Sequence, residues 1–411
     1  MQTNDNNPQK QIRMKTIILS LALTSLCSTT YAQTSQTGDE LVFTTIRQNP
    51  ITPVKNQNRS GTCWDYATLG FVESELLRTK GKTFDLSEMF VANKDYMDCA
   101  EYHVRMHGHS RFSEGGSADD VFAVINRHGI CPETAMAHPG ELIGDTLADF
   151  TEFFSALEPY VQSIAKSTSK QLTTQWRTGM QGILDAYLGK CPETFVFEGK
   201  EYTPLSFAQM LGIKKDNYVS ITSFTHHPFY EPFVIEAPYK WRPCLSQNVP
   251  MDEMMNVIDN ALEKGYTVAW GGDVSEDGFT RQGLALACAP EKVQDLTGSD
   301  AARWLQLTRQ ERASAIKKLG VRTPEITPTQ ALRQERFDLW QSTYDHVMLI
   351  YGLARDQNGR EYYMVKNSWG DTGDYHGIWY MSKNYIALNT TYIFLHKDAV
   401  SPAIRKKLKI Q

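Results

Sequence analysis

Gln57-Asn58-Arg59-Ser60-Gly61-Thr62-Cys63-Trp64-Asp65-Tyr66-Ala67 is the stretch on which the reading of this chain turns. A cysteine directly follows a glycine-containing turn. After it Trp64, Ala67, Leu69, Phe71, Val72, Leu76 and Leu77 recur at spacings of three and four, the pattern of a half-buried helix. Cys63 is thereby placed at a helix N-terminus, where free backbone N–H groups and the positive end of the dipole favour a thiolate, the nucleophilic form of cysteine. Such a nucleophile needs a histidine, a group to orient it and a donor for the developing oxyanion.

Far downstream, Tyr344-Asp345-His346-Val347-Met348-Leu349-Ile350 and Tyr362-Tyr363-Met364-Val365-Lys366-Asn367-Ser368-Trp369-Gly370 each read as a core strand carrying a polar residue at one end. Together Gln57, Ser60 to Trp64, Asp345-His346 and Asn367 to Gly370 resemble the papain family of cysteine peptidases, with the blocks in the family order. The long gap between Cys63 and His346 is most similar to the bleomycin hydrolase and aminopeptidase C branch, and the match runs from about residue 50 to the C-terminus.

The resemblance implies a papain-like α+β fold. A helical lobe and a β-rich lobe would enclose the site in their cleft, with helical insertions at about 137–255 and 292–330. It implies catalytic roles for Cys63, His346, Asn367 and Gln57. Gln57 would share the oxyanion hole with the Cys63 N–H, and Trp369 would shield the His346–Asn367 contact from water. Gly115 and Gly116 would leave room for substrate backbone, and Asp345 would offer its backbone carbonyl to it. The expected reaction is peptide hydrolysis through a thioester, with no cofactor and no metal. An aminopeptidase of the aminopeptidase C type is the leading reading, an open-cleft endopeptidase the alternative and a non-catalytic scaffold the third. In that branch access is restricted by assembly into a closed oligomer, a hexamer by resemblance, and by final residues that enter the cleft. Here the tail Ala403 to Gln411 is basic, with Arg405, Lys406, Lys407 and Lys409.

At the other end, Ile17 to Leu23 is an apolar run too short to span a bilayer. With Met14-Lys15 before it and Thr30-Tyr31-Ala32 after it, residues 1–32 read as a signal peptide with its preceding polar residues, so the peptidase domain would be 33–411 and exported, periplasmic or secreted. Cys27 does not fit a lipidation site, because Leu26 is a poor preceding residue. The stretch between Ala32 and Gln57 is too short for the inhibitory propeptide of papain and the cathepsins. No later run suits a membrane helix, and a formal net charge of −5 argues against nucleic acid as a partner; peptides are the expected one.

Of the seven cysteines, removal of Cys27 and reservation of Cys63 leave five, so at most two disulfides can form. Plant and lysosomal relatives bridge a cysteine three residues before the nucleophile; here that residue is Ser60. Between these landmarks, Leu147 to Val161, Met180 to Leu188, Tyr202 to Leu211 and Met254 to Leu262 carry helical spacing, and Tyr266 to Val274 reads as a strand. Residues 292–330 read as a charged helical excursion with a solvated face. Asp65 is expected to stabilise the first turn of its helix. His103 and His107 would share a helix face near His109, but no cysteine or carboxylate completes a metal spacing, and packing or surface roles are expected.

Overall fold

Helix α1 spans Cys63–Lys80, as its apolar spacing predicts, and stops at Gly81, whose φ of 64° is a conformation that only glycine adopts at no cost. The computed structural model describes residues 40–136, 142–143, 147–288, 308, 311, 314, 316 and 320–410. The expected signal peptide lies outside these residues, as does most of the 292–330 excursion. On α1 pack α2 (Glu88–Arg105) and α3 (Ala118–His128); α4 (Thr151–Ala165) and α5 (Gln175–Leu188) pack on α2, and α6 (Pro204–Leu211) on α3. Ser87 caps α2 by accepting from the Phe90 N–H, and Thr203 caps α6 ahead of Pro204. Of the apolar positions read from the sequence, Phe153, Phe154, Leu157 and Val161 on α4 and Met180, Leu184 and Leu188 on α5 are buried, Ile183 is half-buried, and Leu147 and Phe150 precede the helix, Leu147 in a short strand.

The second lobe is a mixed sheet, to which β1 (Phe43–Gln48), β6 (Tyr218–Thr222), β7 (Pro232–Val234), β8 (Leu245–Asn248), β9 (Val268–Gly272), β10 (Leu284–Ala285), β11 (His346–Asp356), β12 (Glu361–Lys366), β13 (Ile378–Ser382) and β14 (Thr390–His396) contribute. Two small hairpins, β2 with β3 (Leu142–Ile143 and Leu147–Ala148) and β4 with β5 (Phe195–Phe197 and Lys200–Tyr202), lie off it. The order is β10-β13-β12-β11-β9-β14-β6-β8-β7, with β1 also on β11. Most neighbours are antiparallel; β10 with β13 and β6 with β8 are parallel. The architecture is thus the expected α+β one, with one difference. The region 137–255 is not helical throughout, because β6, β7 and β8 leave it to extend the main sheet beyond β14. Their runs are too short to carry a periodic signal, and cross-strand pairing decides their conformation.

One apolar cluster joins the lobes: Trp64, Leu69, Phe71 and Val72 of α1 meet Val347 and Leu349 of β11 and Phe394 of β14. Burial of each such side chain contributes about 1.5–3 kcal/mol. A second cluster on the opposite sheet face holds α7 (Met251–Glu263) and the C-terminal helix Pro402–Leu408, whose Ile404 and Leu408 are buried. No helix among the described residues is long and apolar enough to cross a membrane.

Asp65 departs from its expected part. It is fully buried, and neither carboxylate oxygen has a hydrogen-bond partner among the described residues. Burial first, then the nearby Glu88 and Asp95, push its carboxyl well above the usual range. A buried carboxyl that holds its proton to higher pH than the unfolded chain destabilises progressively as pH rises past the unfolded value. Asp65→Ala is therefore expected to stabilise by about 1–3 kcal/mol, and by more at pH 8 than at pH 5, as read by denaturant titration at both. A loss of stability at pH 8 would contradict this account.

Candidate active site

The turn before α1 and the strand end carrying Asn367 are built as one unit. Gln57 N–H donates to Ser368 O at 2.8 Å and Gly370 N–H to Lys55 O at 3.0 Å. Gly370, at φ 68°, lies so close to Asn56 that a Cβ would come 3.0 Å from its Nδ2. Gln57 Nε2 donates to Ser60 O at 2.6 Å and its Oε1 accepts from Ser368 Oγ at 2.5 Å. Both ends of that amide are fixed, and its second N–H remains for the cavity that Gln57 lines with Cys63.

Cys63 comes from the helical lobe and His346 from the first residue of β11. The Val347 N–H is directed at the Cys63 thiol and, with the Trp64 and Cys63 N–H groups, lowers its pKa, whereas burial pushes it up to about 12. His346 Nε2 lies 2.8 Å from Asn367 Oδ1, which also accepts from the Ser368 N–H at 2.8 Å. The Asn367 oxygen can only accept, so in the neutral ring Nε2 carries the proton and Nδ1 keeps the lone pair. Burial pulls His346 down to about 4 against the opposing effect of Asn367. Taken singly both groups are neutral at pH 7. Passing the thiol proton to Nδ1 creates a coupled pair of opposite charges, each offsetting the other's burial. Trp369 covers this contact with its ring 5.0 Å from that of His346, and is itself held by Phe279 and Trp379.

These side chains open onto a cavity of about 1080 Å³. Gly115, Gly116 and Asp345 line it as well, so every site residue read from the sequence belongs to this cleft except Asn367, which stands behind His346. A Cβ on Gly115 would come 2.6 Å from Tyr239, and one on Gly116 2.8 Å from the Trp64 ring, so bare backbone is required at both. The Asp345 carboxyl accepts from the Val274 N–H at 2.9 Å; burial and then the Asp273 charge push it up to about 7.

The sequence reading missed Glu114, Phe154, Glu158 and Tyr239 on the cavity wall. Only Glu114 had a local signal, since it precedes the glycine pair. Its carboxylate accepts from the Gly61 N–H at 2.5 Å, tying the wall to the turn before Cys63. Burial raises its proton affinity. Neither Glu114 nor Glu158 has a cationic partner among the described residues.

The histidine group at 103–109 does not assemble. Helix α2 ends at Arg105, His107 has a left-handed φ of 53°, and His103 is buried with Nδ1 3.2 Å from Ser110 Oγ. His226, His227 and Glu236 do come together, their ligand atoms within 4.8 Å of one another. However, Gln334 Oε1 accepts from the Thr225 N–H, so Gln334 Nε2 donates to His226 Nδ1 at 2.9 Å. His226 Nε2 then carries the proton that it donates to Glu236, 3.1 Å away, and offers no lone pair to a metal. The six described cysteines are free thiols.

Comparison with known proteins agrees with the geometry. The model of the papain family cysteine proteases matches residues 43–178, and that of the peptidase C1-like family matches 323–411. Aminopeptidase G of Lactobacillus delbrueckii subsp. lactis is 22% identical over 393 residues, covering 87% of this chain and 83% of its own. Aminopeptidase C of Streptococcus thermophilus is 22% identical over 389 residues, covering 84% and 80%. The crystal structure of PepW from Lactobacillus rhamnosis superposes with a TM-score of 0.65 at 19% identity, over 89% of this chain and 84% of that one, a likeness of fold. With a cysteine at the head of α1, an imidazole at the start of β11 and matches to both family models, this chain belongs to the papain-like cysteine peptidases, on the aminopeptidase C branch.

Proposed function

We propose that this peptidase is an aminopeptidase in which Cys63 attacks the carbonyl following the first residue of a peptide. The observation that carries the chemistry is the His346–Asn367 bond beside a thiol that faces the Val347 N–H. His346 takes the thiol proton and delivers it to the leaving amine; water then hydrolyses the thioester with the same imidazole as base. The second Gln57 N–H and the Cys63 N–H are the donors proposed for the oxyanion. The Asp345 carbonyl is proposed to face the substrate backbone, with Gly115 and Gly116 lining the cavity beside its first residue. The names of the relatives support an exopeptidase, and Glu114 and Glu158, without cationic partners among the described residues, offer carboxylates to a substrate's α-ammonium.

Endopeptidase action is the second reading, and one observation favours it. The tail through Ile410 does not line the cavity: Ile404, Leu408 and Ile410 pack on the second apolar cluster, and Lys407 pairs with Glu253 at 2.5 Å. A paired assay separates the two. A free-amino aminoacyl fluorogenic amide should be cleaved with a higher kcat/KM than its N-blocked dipeptidyl counterpart, and the reverse order would favour the endopeptidase. We further propose export, on the strength of the Ile17 to Leu23 run, to be checked by the mass of the mature protein, and self-assembly, by family resemblance, to be checked by light scattering.

A further inference from the structure

We infer that Tyr239, carried on the segment between β7 and β8, is the barrier that confines substrates to one residue ahead of the scissile bond; this deepens the aminopeptidase reading and rests on it. An extended substrate running past Cys63 along the glycine pair needs the open backbone of Gly115 and Gly116. Neither is open. The Tyr239 ring lies against Gly115, where even a Cβ would come 2.6 Å from its Cδ1. The Gly116 carbonyl is already taken by the Tyr344 hydroxyl, which donates to it at 2.5 Å.

The segment bearing Tyr239 is locked to the loop it covers. Lys240, fully buried, pairs with Asp119 at 3.1 Å, and Arg242 reaches Asp120 at 2.9 Å and Asp95 at 3.3 Å. Trp241 Nε1 donates to Asp95 at 3.3 Å, and the Arg111 guanidinium lies 4.2 Å from the centre of the Tyr239 ring. Asp119 and Asp120 begin α3 immediately after the glycine pair, so the cover and the surface beneath it move together. Buried charge pairs of this kind do not open cheaply, because each ion would be left without its partner. Tyr239 itself remains partly exposed on the cavity wall, where a substrate's second residue would meet it.

The test compares kcat/KM for the free-amino aminoacyl amide and the N-blocked dipeptidyl amide in the wild type, in Tyr239→Ala and Tyr239→Leu, and in a chain truncated after Leu408. Titration of Cys63 with an epoxide counts the folded sites in each. Opening a subsite by a side chain's volume should raise the blocked-to-free ratio on the order of tenfold or more in Tyr239→Ala, by less in Tyr239→Leu, and not at all on truncation. Ratios unchanged in both Tyr239 variants, or changed only by truncation, would overturn the inference while leaving the aminopeptidase reading intact. A wild type that prefers the blocked substrate would overturn that reading, and this inference with it.

Discussion

Cys63→Ala and Cys63→Ser are expected to abolish peptide hydrolysis, and Gln57→Ala to lower kcat by on the order of 10² to 10³, the usual cost of losing one oxyanion donor. The first effect follows from the absence of any other thiol on the cavity wall among the described residues. A serine hydroxyl lacks the acidity that the Val347 N–H and the helix end help the thiol to reach. The second effect carries a structural signature. Gln57 also accepts from Ser368 and donates to Ser60, so Gln57→Ala loosens the turn as well as the hole. Gln57→Glu keeps an acceptor for Ser368 and removes the donor, and should lose nearly as much. Steady-state kinetics with epoxide labelling of the purified variants checks both, and equal loss of activity on labelling a different cysteine would refute the assignment.

Arg333→Ala is expected to destabilise the protein by on the order of 3–5 kcal/mol, since it strands several buried acceptors at once. The guanidinium is 1% exposed and faces no carboxylate among the described residues. Instead its Nε donates to Ser223 O at 2.8 Å, its Nη1 to Ala387 O at 3.0 Å and Leu388 O at 3.3 Å, and its Nη2 to Thr390 O. Burial alone pulls its pKa down to about 9. This fork fastens the end of β6 to the corner that enters β14, and the neighbouring Asn389 O accepts from the Asp273 N–H behind the end of β9. Gly272, at that end, pairs with His346, so the clamp supports the strand that positions the imidazole. Arg333→Lys should not rescue stability, because an ammonium cannot reproduce the planar fork. Urea denaturation reads the loss, and a change under about 1 kcal/mol in Arg333→Ala would contradict this role.

The placement of Cys63, His346 and Asn367 was legible in the sequence because it rests on local signals. Cys63 follows a turn and begins an apolar period, while His346 and Asn367 stand at the ends of short apolar strands. What was not legible depends on partners distant in the chain. Tyr239 becomes a wall only because Lys240 and Arg242 find Asp119, Asp120 and Asp95, and no spacing encodes such pairs. Asp65 sits where a helix start welcomes a carboxylate, yet the packing of α2 against α1 seals it from water. The histidine face at 103 and 107 assumed a helix that ends two residues before His107. Strands β6 to β8 owe their conformation to the open edge of β14 rather than to any pattern of their own.

The contact between Glu114 and the Gly61 N–H sets the conditions under which the enzyme can be handled. It ties the cavity wall to the nucleophile's turn without sulfur, next to Ser60 at the place where some relatives carry a bridging cysteine, and the described thiols are all free. A catalytic thiol must be kept from oxidising to sulfenic and higher acids. Reductant can do that here without severing any bond that shapes the described fold. Acid is what would loosen this fastening, because a protonated Glu114 accepts from Gly61 more weakly than a carboxylate does.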